Sequence, residues 1–298
     1  MLADFSLPSF AKINWSLRIL GKRDDGFHEL FTIFQTVSLY DALSFAASDT
    51  LSLKCDDASV PTDERNLIVK AAFALQRQFG VKNGAAIRLE KRIPSPGGLG
   101  GGSSNAATTL IGLNRLWNLG AAAGDLRLIA AELGSDVPFF LHGGTATGTG
   151  RGEIIEQLDE MDERFLLIVT PDISVSTREA FGRINAPTLT NEARKRILRV
   201  CRLEAESLDL HHMVLISDFE ASVFSAFPEI RRVKETLIEL GAVNAAMSGS
   251  GASVFAIFEI EETRQAALKA LDREITWRKF AVATISRYQY REALLSIA

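Results

Sequence analysis

Residues 94–117 read PSPGGLGGGSSNAATTLIGLNRLW. Five glycines crowd positions 97–102, broken only by Leu99, and Ser103, Ser104 and Asn105 follow. Leu110, Leu113 and Trp117 then recur on one apolar stripe, so the spacing predicts a helix that begins where the glycines end. Residues 85–93 are a strand candidate leading into the run. Strand, glycine loop and helix in that order set backbone N–H groups beside the positive end of a helix dipole. Without Cβ atoms the backbone can approach a bulky anion, and the serines can cap the helix or donate to phosphate oxygens. The segment therefore predicts polyphosphate binding, with a tight structural turn as the plainer alternative. No Gly-Lys-Ser/Thr closes it, so it is not a Walker A loop. The surrounding pattern lacks the βαβ regularity that a Rossmann fingerprint needs.

Working outward, residues 12–19 alternate strictly. Ile13, Trp15, Leu17 and Ile19 face one way, and Lys12, Asn14, Ser16 and Arg18 the other, which predicts a half-buried strand. GKRDDG at 21–26 marks a turn through its Asp-Gly pair. Strands are expected within 31–45 and at 51–55, and a helix over 67–79 that stops at Gly80. A short helix over 124–133 precedes GSDVPFFLHGG, and glycine- and threonine-rich turns continue through Gly152. Beyond them, strands are expected at 165–170, 252–258 and 280–285. Helices are expected near 177–184, 191–208, 218–226, 229–240 and 263–271. Strands and helices mixed without regular alternation predict an α+β fold. A lobe boundary within 150–162 divides the chain into 1–155 and 156–298.

Composition bounds the function. With 298 residues, 47% hydrophobic and 23% charged, the chain has enough apolar surface for packed cores. Its 33 basic and 37 acidic residues leave a net charge of −4, which disfavours a nucleic-acid scaffold. Cys55 and Cys201 form neither a disulfide framework nor a zinc site, and read as incidental thiols in a reducing compartment. No secretory leader pattern or membrane-length apolar run is seen, so a cytoplasmic protein without membrane partners is expected.

Candidate chemistry rests on few residues. Lys12 stands on the polar face of the first strand, where a solvated lysine is the bland reading. Asp136 either caps a helix or accepts a proton from a reacting hydroxyl, with the Lys12 ammonium keeping it ionised. His28 is a donor or acceptor next to Phe27. His211 and His212 are adjacent and would diverge by about 100° on a helix, a poor metal pair. No metal site is expected from the side chains. SGSG at 248–251 reads as a second turn-like loop that gains meaning only if it faces the first.

Four segments, AKINWSLRILGKRDDGFHEL, PSPGGLGGGSSNAATTL, GSDVPFFLHGGTATGTGRGE and AAMSGSGASVFAIF, resemble the GHMP small-molecule kinases in order and spacing. The likeness runs from about residue 9 to residue 286, and is strongest to the branch acting on a cytidylyl methylerythritol. It implies an N-terminal lobe like ribosomal-protein S5 domain 2 and a ferredoxin-like C-terminal lobe, with the site between them. It implies ATP as phosphoryl donor, held by Pro94, Ser95, Pro96, Gly97, Gly98, Leu99, Gly100, Gly101, Gly102, Ser103 and Ser104. Lys12 and Asp136 match the catalytic pair, and Asn14 a position beside the polyol. His28 matches the residue that reads the cytosine edge, and Phe27 and Phe181 the aromatics that sandwich the ring. Gly249 and Gly251 match a third motif.

Two positions depart from the pattern. Phe27 replaces a common tyrosine, so any phenolic hydrogen bond is lost. Pro96 replaces a small residue and removes one N–H from the loop. Mg²⁺ is expected with ATP, without a visible acidic cage and with Ser103 as a candidate ligand or phosphate donor. A kinase of mevalonate or homoserine type, or a non-catalytic nucleotide-binding regulator, are the alternatives.

Overall fold

The computed structural model describes residues 4–184, 186–206 and 215–295. His211 and His212 lie outside the described residues, as does the end of the helix expected over 191–208.

β1 (Phe5–Lys22) and β2 (His28–Ser48) form a long antiparallel hairpin in which Lys12 pairs with Thr36, Asn14 with Phe34 and Lys22 with His28. The Asp-Gly turn closes it: Asp25 accepts a hydrogen bond from the Phe27 amide (3.1 Å), and Arg23 N–H bonds to Phe27 O (2.8 Å). β3 (Leu51–Cys55) and β4 (Gly84–Glu90) extend the sheet beyond β2. Between them runs α1 (Leu67–Phe79), capped by the Asn66 side chain on Ile68 N–H and ended by Gly80 at φ 63°. α2 (Gly101–Leu116) and α3 (Ala123–Leu133) join α1 in covering one sheet face, burying Ile68, Leu110 and Leu113 against Leu43 and Phe45.

α2 starts inside the glycine run rather than after it. Gly100 at φ 71° ends the loop, so Gly101, Gly102 and Ser103 become the first helical turn. The region expected as turns before Gly152 contains β5 (Thr145–Gly150), paired with β2 on one side and β6 (Ile154–Gln157) on the other. Its two glycines have low strand propensity, and space explains Gly148: a Cβ there would come within 2.6 Å of the Phe34 ring.

The second lobe is a four-stranded antiparallel sheet. β7 (Phe165–Pro171) is central, and α4 (Thr177–Gly182), α5 (Asn191–Glu206) and the short β8 (Ile216–Ser217) follow it; β8 pairs with β1. α6 (Glu220–Ala226), α7 (Pro228–Glu239), β9 (Asn244–Met247), β10 (Val254–Phe258), α8 (Glu261–Ala270) and β11 (Trp277–Ala283) complete it in the order β11-β7-β10-β9. α9 (Arg287–Leu295) then returns to the first lobe, where buried Tyr290 packs on Phe10 and donates to Phe140 O.

β1 is buried on both faces, not one. Ile13 and Trp15 meet the second lobe's sheet, with the Trp15 and Phe255 rings 5.5 Å apart edge to face. The opposite side carries Lys12 and Asn14 under the glycine loop, so both polar side chains are interior. Alternation sets the two faces of a strand but cannot say what covers each. The expected α+β class and two lobes are present.

Candidate active site

Lys12 donates to Asn14 Oδ1 (2.7 Å) and to Gly98 O (2.9 Å), and its Nζ lies 3.5 Å from Asp136 Oδ2. An ammonium has three donors, and three acceptors surround it. Burial pulls the Lys12 pKa below its ordinary 10.5, and the Asp136 carboxylate pulls the other way. Asn14 is fixed in turn: its Nδ2 donates to Thr32 Oγ1 (2.7 Å), and its Oδ1 also accepts from Gly249 N–H (2.9 Å). The two residues placed on the polar face of β1 thus form a buried network with the second glycine loop.

Asp136 opens a short 3₁₀ turn over Val137–Leu141 but makes no side-chain cap bond. Its carboxylate is turned to the cleft, 33% exposed against 3% for Lys12. The aromatic residues after it anchor the turn, Phe139 stacking near Phe34 with centroids 4.8 Å apart.

The glycine loop is held by its carbonyls. Gly97 O accepts from Ser253 N–H, Gly98 O from Lys12 Nζ and Ser248 Oγ, Leu99 O from Lys12 N–H, and Gly100 O from Ser104 N–H. Among the described residues, the amides of Gly98 through Ser103 donate to nothing. Acceptors satisfied and donors idle, at a helix N-terminus, are what an anion requires. Gly98 has φ 72°, and a Cβ there would stand 2.0 Å from Ser248 O, so the two loops touch backbone to backbone. Asp41, fully buried, accepts from Arg92 N–H (2.7 Å), Ile93 N–H (2.8 Å) and Lys91 Nζ (2.9 Å), and so anchors the strand leading into the loop.

A cleft of about 350 Å³ gathers these groups. Residues 94–103 line it together with Lys12, Asn14, Asp136, Gly249 and Gly251. Ser95 and Pro96 lie exposed at the lip, so the N–H that proline lacks is missing from the rim rather than the floor. Ser104 is buried behind the loop, hydrogen-bonded to Ser9 Oγ (2.7 Å).

A second compartment opens from the first, lined by Phe27, His28 and Phe181. The His28 and Phe181 rings stack at 5.1 Å and 22°. Phe27 is 54% exposed, with the Arg151 guanidinium over its face at 4.9 Å. Burial, and then the nearby Lys22 charge, hold the His28 pKa below 6.5, so it is neutral at pH 7. Sequence reasoning missed Thr32, Ser135, Arg151 and Thr177, all on these walls. Ser135 and Arg151 sit in one of the quoted motifs, at its two ends, a signal that was available. Thr177 reaches the second loop through Ser250 Oγ (3.1 Å), which only the fold reveals.

The family model described as GHMP kinases N terminal domain matches residues 66–144, and that described as GHMP kinases C terminal matches 196–275. Fold and cleft together define a small-molecule kinase of the GHMP class. The 4-diphosphocytidyl-2-C-methyl-D-erythritol kinase of Chlorobium phaeobacteroides (strain BS1) is 45% identical over 85% of this chain and 89% of its own length. The crystal structure of 4-(cytidine 5'-diphospho)-2C-methyl-D-erythritol kinase superposes with a TM-score of 0.75 at 30% identity, covering 94% of this chain and 98% of that one. This chain belongs to the 4-diphosphocytidyl-2-C-methyl-D-erythritol kinase family. Homoserine kinase from Cytophaga hutchinsonii ATCC 33406 shares the fold, with a TM-score of 0.71 over 96% of each chain at 20% identity. Among the described residues, no helix is long and apolar enough to cross a membrane.

Proposed function

We propose that this protein, in the cytoplasm, transfers the γ-phosphoryl group of ATP to the 2-hydroxyl of 4-diphosphocytidyl-2-C-methyl-D-erythritol, a step of the non-mevalonate route to isoprenoid precursors. The observation that carries this is the meeting of Lys12 and Asp136 in an amide-lined cleft from which an aromatic compartment opens.

In this reading the idle amides of Gly98–Ser103 receive the polyphosphate of ATP. Asp136 takes the proton of the 2-hydroxyl as that oxygen bonds to the γ-phosphorus. The bond from the γ-phosphorus to the bridging oxygen breaks, and ADP leaves with the electron pair. Lys12 keeps Asp136 ionised and offsets charge on the transferring group. Asn14 orients the ammonium and lies beside the polyol. Such a transfer asks for alignment and electrostatic stabilisation more than for covalent chemistry. His28 reads the cytosine edge, while Phe27 and Phe181 offer ring faces.

No group of three or more His, Cys, Asp or Glu side chains among the described residues could hold a metal. Mg²⁺ bound together with ATP would offset charge on the phosphates, and Ser103 would be the loop hydroxyl to hold it.

Release of ADP by purified protein across a panel of alcohols tests the assignment. Turnover is expected with the cytidylyl methylerythritol. Phosphorylation of mevalonate or homoserine in its place overturns the substrate, and ATP binding without any turnover would make the protein a nucleotide-binding regulator.

A further inference from the structure

Five residues line both compartments: Leu30, Ser135, Arg151, Thr177 and Phe181. Arg151 is the one charged side chain among them. The aromatic compartment adds Lys22 and Arg178 and has no carboxylate among its lining residues. A cytosine ring, uncharged at neutral pH, asks for ring faces and hydrogen bonds. Positive charge gathered between the pyrimidine slot and the alcohol site fits an anion instead.

The position of Arg151 is built. It sits at the turn between β5 and β6, where the Gly150 amide donates to Glu29 Oε1 (3.2 Å). Glu29 is buried between Arg23 and Arg194, each 2.9 Å away. The Arg151 amide donates to Glu153 Oε2 (2.6 Å), and its Nε lies 3.7 Å from Glu153 Oε1. Phe27 occupies one face of the guanidinium. Among the described residues nothing accepts a hydrogen bond from that guanidinium, so its planar fork of donors is available to a phosphate.

We propose that Arg151 binds the diphosphate of the substrate, and so sets a preference for a diphosphate-linked pyrimidine over the bare nucleoside. This rests on the substrate reading above. Arg151→Gln and Arg151→Lys in the full chain test it, with cytidine and cytidine diphosphate as competing inhibitors. In the unaltered enzyme the diphosphate should inhibit more tightly than cytidine. Arg151→Gln should raise KM for the cytidylyl methylerythritol and Ki for cytidine diphosphate by about tenfold to a hundredfold, the scale of a charge-assisted contact. Ki for cytidine and KM for ATP should hold within about twofold, and Arg151→Lys should recover part of the loss, a charge without the fork. Equal weakening of cytidine and its diphosphate would make Arg151 a mere support for Phe27 and overturn the proposal, as would unchanged constants. If the unaltered enzyme neither turns over the cytidylyl substrate nor prefers the diphosphate to cytidine, the substrate reading fails and this proposal with it.

Discussion

Lys12 and Asp136 share an ion pair of 3.5 Å across a solvent boundary: the ammonium is interior, and a third of the carboxylate side chain is exposed. Fixed charge sits inside, and the group proposed to exchange a proton faces the cleft. That division of labour is what a transfer to an incoming alcohol needs.

Asp136→Asn keeps the shape of the turn and removes the proposed proton acceptor. Turnover should fall by two or more orders of magnitude, about the contribution of a positioned base, while ATP affinity holds. Steady-state ADP release and an ATP titration check both; near-normal kcat would remove Asp136 from the reaction.

Burial lowers the Lys12 pKa from 10.5, and the proposed mechanism makes the cation the working form. As pH rises through that lowered value the ammonium is lost, so kcat should show an alkaline limb below 10.5. Lys12→Arg, charged at every accessible pH, should abolish the limb even if its rate is lower. For stability the sign reverses. The unfolded chain holds this proton more tightly, so Lys12 costs stability at neutral pH and the cost fades as pH rises toward 10.5. A kcat profile flat to pH 10.5 in the unaltered enzyme would contradict this account.

His28 is neutral at pH 7 because burial and Lys22 depress its pKa. Neutral imidazole offers one donor and one acceptor, and protonation removes the acceptor. KM for the cytidylyl substrate should rise as pH falls through a value below 6.5, with KM for ATP unaffected by this group. His28→Ala should raise the first constant selectively and erase its pH dependence. A parallel rise in both constants would refute the role.

Gly98 and Gly102 separate architecture from ligand space. Gly98→Ala drives a Cβ into Ser248 O at positive φ and should lower the melting temperature as well as activity. A Cβ on Gly102 meets nothing nearer than Leu67 Cδ1 at 3.8 Å. Gly102→Val should therefore raise KM for ATP while the melting temperature barely moves. Calorimetry beside ATP titration distinguishes the two, and an unchanged ATP constant in Gly102→Val would take that amide out of the phosphate contact.

Much of the site was legible because its parts are local. The glycine run, the Asp-Gly turn before Phe27 and His28, and the alternation around Lys12 each announce themselves within a few residues. What lay hidden is long-range. Nothing near Lys12 says that Gly98, itself held by Ser248, covers it, or that its strand is buried on both sides. β5 was obscured because its glycines read as turn residues, although Gly148 is there for the room that the Phe34 ring leaves. β9 is four residues long, too short to show a period, and gains its identity only by pairing with β10.

Tyr290 in α9 completes the wall behind Phe140, a few residues after Asp136 in the chain. On the ribosome, Lys12, the glycine loop and Asp136 all emerge long before that tyrosine. The first lobe therefore waits until the second has been made to finish its own interior. A nonsense codon just upstream of α9 would silence an enzyme whose every reacting group had already been made.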